Sequence, residues 1–262
     1  MPIQSVHAYL APAQVTVEST QWGEASPEDV RAVLQSVIEA VSPYLASRQF
    51  GNILIRNGSA GPVSLYEKSS KGEYIIELDV QGRHWAQLAY QFSHELCHLM
   101  SNYDLAPNNV SHQQWFEEAL CEAFSLSALD RMANQWAKQP PYPQWQDFAP
   151  KFTDYKQKML KEAHRQLPKG TSFKRWYRQH QTQLSNNPYA KQRELNELVS
   201  LSLLPLFDAI PANWVAINYL NLGDDSKDKS LQKYLSDWQT NAPPELRPVV
   251  KKVQQLFFSG GP

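Results

Sequence analysis

QFSHELCHLM, residues 91–100, places His94, Glu95 and His98 in the pattern HExxH, and its reading decides the fold. Residues four apart share one face of a helix, so both imidazoles can point at one metal ion while Glu95 flanks the same place. A helix is expected here on independent grounds. Trp85, Leu88, Phe92, Leu96 and Leu99 form an apolar stripe, Gln87, Gln91, His94 and His98 a more polar one, and neither Gly nor Pro interrupts the segment. The polar stripe is expected to face a cleft. Taken alone, the motif also fits two packed histidines on a metal-free helix of an interaction protein.

The next segment, SHQQWFEEALCEAFSLSALDRM (residues 111–132), weighs against that bland reading. Ser111 and Gln114 form a Ser-x-x-Gln capping box, and Trp115, Phe116, Leu120, Phe124 and Leu126 supply apolar surface for a second helix. Glu118 and Glu122 are four apart on one face. One carboxylate there can complete a His, His, Glu ligand set, and another can accept a hydrogen bond from a ligand imidazole.

HELCH followed by WFEEALCEAF resembles the gluzincin metallopeptidases, the zincin group that contains thermolysin-like and M1-type enzymes. The resemblance spans residues 84–132 and falls on Trp115, Glu118 and Glu122 of the second helix. It implies a zincin-like fold and a zinc ion (Zn2+) held by His94, His98 and Glu118. It further implies Glu95 as general base and Glu122 as the group that orients the His94 ring. The implied activity is zinc-dependent hydrolysis of peptide bonds, as an endopeptidase acting on a peptide or protein substrate. Glu117, standing where Asn is common in the family, is an alternative ligand. So is Asp104, because SNYD could follow the short HExxHxxGxxD scheme of other zincins. That scheme needs a tight reversal at Ser101, where the family has Gly, unless Asn102 takes the positive φ. No G-x-M-E-N segment lies upstream, which argues against an M1-type aminopeptidase. The second donor to a transition-state oxyanion stays open among Tyr103, His112, Tyr177, His180, Tyr189 and Arg193. A catalytically inactive zincin-like protein that binds peptides or acts as a regulator, retaining the metal site, is the alternative function.

Working outward, the N-terminal third reads as mixed α and β. AQVTVEST (residues 13–20) suits a strand, and Ser26 with Pro27, Glu28 and Asp29 starts a helix whose Val30, Val33, Leu34, Val37, Ile38 and Val41 recur at helical spacing. NILIR (52–56), VSLYE (63–67) and YIIELDV (74–80) are three short strands between turn-forming segments, and VSLYE is the expected substrate-binding edge. Beyond residue 84 the chain reads as helices punctuated by proline. The expected architecture is α+β: a zincin-like lobe over residues 1–138 carrying both metal-site helices, then a helical lobe over residues 139–262 closing the cleft.

Composition narrows the partners. The chain has 262 residues, 42% hydrophobic and 19% charged, with a formal net charge of -1, which excludes disordered and coiled-coil classes and gives no bulk attraction to nucleic acid. FKRWYRQH (173–180) interleaves aromatic and basic residues at the spacing of an amphipathic helix, so no nucleic-acid partner is expected. No run approaches the roughly 18 apolar residues of a membrane span, and the opening MPIQSVHAYLAPAQ has no signal character, which leaves the compartment open, cytoplasmic by default and exported if a signal has been removed. Cys97 and Cys121 belong to no CxxC pair and read as free thiols that fill small apolar spaces.

Overall fold

The computed structural model describes residues 13–45, 50–105, 112–186, 193–223 and 229–258. It begins with strand β1 (Gln14–Val17) and helix α1 (Pro27–Val41), whose Ser26 hydroxyl accepts from the Asp29 amide at 3.0 Å as the side-chain N-cap. Val30, Val33, Leu34, Val37, Ile38 and Val41 are all buried, so the apolar spacing and the packed face coincide. Strands β2 (Asn52–Asn57), β3 (Val63–Lys68) and β4 (Tyr74–Leu78) complete a four-stranded sheet in the order β1-β2-β4-β3. β1, β2 and β4 run parallel, with Val15 opposite Ile53 and Ile55 opposite Ile76, while β3 runs antiparallel to β4. Parallel neighbours need a crossover, and α1 supplies the one between β1 and β2. Ile53, Ile55, Ile76 and Leu78 alternate onto one buried face of the sheet. Among the described strands β3 lies at the edge of the sheet, the place expected for VSLYE.

After the sheet come α2 (Trp85–Met100) and α3 (Gln114–Trp136), packed against each other. α3 is the central helix of the molecule, because α1, α2, α4 (Ala149–Leu160), α5 (Phe173–Asn186) and α6 (Arg193–Asp208) all pack on it. A helix surrounded on all sides buries residues all round, and here the buried set runs from Trp115 through Met132 to Trp136. Aromatic rings fix both its ends. Phe116 meets Tyr234 and Trp238 of α7 (Leu231–Asn241) and Phe257 of α8 (Arg247–Phe257), while Trp136 stacks on Trp145 at 5.5 Å. The capping box proposed at Ser111 lies outside the described residues. In α5, Phe173, Trp176 and Tyr177 are buried, so the aromatics of FKRWYRQH face the core. Among the described residues no single helix is long and apolar enough to cross a membrane.

One expectation is overturned. Cys97 of α2 and Cys121 of α3 form a disulfide, with their Cα atoms 5.2 Å apart, in place of two free thiols. The spacing of the cysteines along the chain carries no sign of this. It follows from packing, because each cysteine lies beside a residue of the candidate metal site, His98 or Glu122, on helices held face to face.

Candidate metal centre

His94 and His98 lie one turn apart on α2, and Glu118 enters from α3. Both Nε2 atoms point at one place, 3.2 Å from each other, with Glu118 Oε2 at 3.2 Å from His94 and Oε1 at 3.5 Å from His98. Tetrahedral zinc with bonds of about 2.0–2.1 Å holds its ligand atoms about 3.3 Å apart, so the spacing fits that ion. The ring orientations point the same way. The Nδ1 atom of His98 lies 2.7 Å from Glu117 Oε1 and that of His94 3.7 Å from Glu122 Oε2, so both rings turn Nδ1 toward a carboxylate and Nε2 toward Glu118. Two imidazole nitrogens and a carboxylate then converge, an arrangement that suits a cation, whether protons on the rings or a metal ion.

The electrostatics of the metal-free protein express the same demand. Burial works against a charged imidazole, yet Glu118 and Glu122 hold His94 above its ordinary pKa, and Glu118 with Glu117 holds His98 well above its own. Glu118 is driven the other way: burial resists its ionisation, but His98 and His94 keep it well below the usual carboxylate range. Protons on the imidazoles thus do electrostatically what a divalent cation would do in their place.

Two layers of support lie behind the donors. Glu117, 1% exposed, accepts from His98, from Ser101 Oγ at 2.6 Å and from Asn221 Nδ2 at 2.8 Å, and Asn221 in turn accepts from the Tyr234 hydroxyl at 2.6 Å. Glu122 faces His94 and accepts from the Tyr90 hydroxyl and from Arg165 Nη1 at 2.6 Å. Arg165 is itself buried, between Glu122, Glu162 at 2.8 Å and Glu197 at 3.3 Å. The resemblance assigns Glu122 to His94, and the two lie 3.7 Å apart, but it gives no partner for His98, which Glu117 contacts at 2.7 Å. The signal was available: adjacent acids at 117 and 118 point to different sides of the helix, one behind the imidazole and one in front. Arg165, Asn221 and Tyr234 carry no local signal.

The competing ligands fall elsewhere. Asn102 does adopt a positive φ of 63°, the condition that the short zincin scheme sets, yet Asp104 receives the Tyr74 hydroxyl at 2.9 Å and faces Lys68 at 3.8 Å. Cys121 could join His98 and Glu117 in a second donor set, but the thiolate is the metal-binding form of cysteine and Cys121 is in the disulfide. Glu162, His164 and Glu197 also converge, but the Arg165 guanidinium already supplies the cation there.

Glu95 is 3% exposed and lines a cleft of about 130 Å3 together with His98, Glu118, Tyr103, Gln114, Arg193, Pro62 and the β3 residues Val63, Ser64 and Tyr66. Ser64 of β3 places its hydroxyl 2.9 Å from Glu95 Oε2, a contact not anticipated from sequence. Of the oxyanion candidates, Tyr103 and Arg193 reach this cleft, but the Tyr103 hydroxyl donates to Leu65 O at 2.5 Å. His112 contacts Ser185 O, Tyr177 packs on Trp115 and Phe257, His180 stacks on Trp176, and Tyr189 lies outside the described residues. A larger open cavity of about 510 Å3 borders the other end of α3, around Asp130, Arg131 and Asp208, and contains no histidine or cysteine. On the expectation that the cleft is hydrolytic and holds zinc, a Ser64 that fixes the rotamer of Glu95 predicts that Ser64→Ala lowers kcat by about 10-fold with zinc content unchanged, since misplacing a reacting group by an ångström costs up to about 100-fold. Steady-state kinetics beside elemental analysis would check this, and an unchanged kcat would remove Ser64 from the site. In comparisons of the chain with known proteins, no family model matches it and no curated protein matches it.

Proposed function

We propose that the chain is a zincin-like, zinc-dependent metallopeptidase, probing peptide bonds laid along β3 and hydrolysing them as an endopeptidase. The observation that carries this reading is the convergence of His94 Nε2, His98 Nε2 and Glu118 at tetrahedral spacing, beside a fourth, unliganding carboxylate, Glu95. Three protein ligands are the catalytic pattern, since structural zinc sites take four. Zinc bound there would supply a Lewis acid that lowers the pKa of water and polarises a carbonyl.

The remaining work belongs to the chain. Glu117 and Glu122 hold the imidazole rings in register and keep the Nδ1 hydrogens turned away from the donor site. Glu95 takes a proton from the attacking water and returns it to the departing amine, a role open to it because it is not among the converging donors. β3 is the edge strand of the sheet, and its Val63 and Tyr66 side chains are exposed at 38% and 37% beside the cleft, so an extended peptide could lie along it.

Bound zinc per chain, measured by elemental analysis on protein purified without added metal or chelator, tests the reading. We expect close to one zinc in the wild type and most of it lost in Glu118→Ala, whereas Asp104→Ala keeps it. Wild-type protein that stays empty after zinc is supplied would sink the proposal. Zinc retained by Glu118→Ala would move the third ligand to Glu117.

A further inference from the structure

We infer that Arg193 binds a carboxylate of the substrate, so that the cleft selects peptides bearing an acidic group beside the metal centre. The inference rests on the peptidase reading for the bond that is cut, but not for the binding of the carboxylate. The group recognised is either an acidic side chain or a free C-terminus, which present the same chemistry.

Three observations lead there. Arg193 lines the same cleft, of about 130 Å3, as Glu95, His98 and Glu118. The arginine and two of the donor-site residues therefore border the space that one bound residue would occupy. Secondly, the other charges around the centre are spoken for: Glu117 by His98, Glu122 by Arg165, and Asp104 by Tyr74 and Lys68. Arg193 is exposed and makes no ion pair among the described residues.

Finally, among the described residues Arg193 is the only Lys or Arg lining the cleft, which Pro62, Val63 and Tyr66 also border. A planar fork of N–H donors fits a carboxylate through two parallel hydrogen bonds. A phosphate dianion would bring about twice the charge against Glu95 and Glu118 in the same space.

The test uses the full chain carrying Glu95→Gln, zinc-loaded, so that binding is read without cleavage. The probes are fluorescein-labelled eight-residue alanine-based peptides containing either Glu or Gln, the Gln peptide being made with a free and with an amidated C-terminus. Fluorescence anisotropy should show a charged peptide bound about 10-fold tighter than the amidated Gln peptide. Whether the Glu peptide or the free C-terminus carries that preference identifies the source of the carboxylate. Arg193→Ala should erase the preference, Arg193→Lys should keep part of it, and Arg193→Glu should turn it toward Lys-containing peptides. Equal binding of charged and neutral peptides, none included, overturns the inference, as does a preference that survives Arg193→Ala. If Arg193→Ala weakens all peptides alike, the guanidinium acts on a backbone carbonyl and the carboxylate assignment falls. The same peptides incubated with Glu95 intact separate the two readings, because carboxylate-dependent binding without cleavage removes the peptidase and leaves the Arg193 site standing.

Discussion

Glu95→Gln is expected to lower peptide hydrolysis by about 10²- to 10⁴-fold, the range that a positioned general base contributes, while zinc stays near one per chain. The two halves of that result come from different atoms. The donor site is built by His94, His98 and Glu118, so an amide at position 95 removes no ligand. Glutamine keeps the size of glutamate and an oxygen that can still accept from Ser64, so the rotamer is preserved and only the capacity to hold a proton is lost. Initial rates on an unfolded protein substrate, with metal content measured on the same sample, would check both halves. A variant that keeps full zinc and more than a tenth of the rate would show that Glu95 is not the base. Wild-type protein that is zinc-loaded yet inert across diverse peptides would favour a non-hydrolytic, peptide-binding role for the same site.

The second large effect is on stability. Arg165→Met should cost about 3–5 kcal/mol at neutral pH, the usual penalty for stripping one partner from a buried ion pair. The guanidinium is 1% exposed, and methionine refills the volume but leaves the Glu122 carboxylate, 7% exposed, facing only Tyr90 and His94. The effect should fade in acid. Burial alone would raise the Glu122 carboxyl, but His94, Arg165 and Tyr90 together pull it down to about 2. Its value in the unfolded chain is higher, so this stabilisation, about 3 kcal/mol, is complete above about pH 4.5 and is lost as the pH falls toward 2. Urea unfolding with excess chelator at pH 7, 4 and 2.5 should therefore show a wide gap between wild type and Arg165→Met that narrows at the lowest pH. A variant within 1 kcal/mol of wild type at pH 7 would mean that water, not Arg165, satisfies Glu122.

Periodicity made the scaffold legible. The valines of α1 at helical spacing and the turn-forming segments around β2, β3 and β4 mark their elements locally, and Ser26 and Pro27 fix the start of α1 to the residue. The shared face of His94 and His98 was legible for the same reason, since residues four apart on a helix must share a face, whereas the choice of Glu118 on the second helix came from the family resemblance alone. What stayed hidden depends on contacts between distant segments. Ser64 meets Glu95 across 31 positions and Asn221 meets Glu117 across 104, and neither side chain has a local pattern that marks it. The cysteines misled for a related reason: nothing within either helix says that the two faces carrying them meet. Likewise, Asn102 satisfied the local condition for a turn back to the metal, yet Tyr74 and Lys68, brought in by the sheet, claim Asp104 instead.

The buried supports of the metal centre come from far along the chain: Arg165 behind Glu122, and Asn221 with Tyr234 behind Glu117. The two donor helices are thus not a portable module. Grafted into another scaffold, they would carry over every donor atom and leave behind the groups that neutralise or hydrogen-bond the carboxylates orienting both imidazoles. Loss of the segments carrying Arg165, Asn221 and Tyr234 would therefore strip the supports from a donor set that lies wholly before residue 119, so any metal binding proposed for it would depend on the C-terminal half.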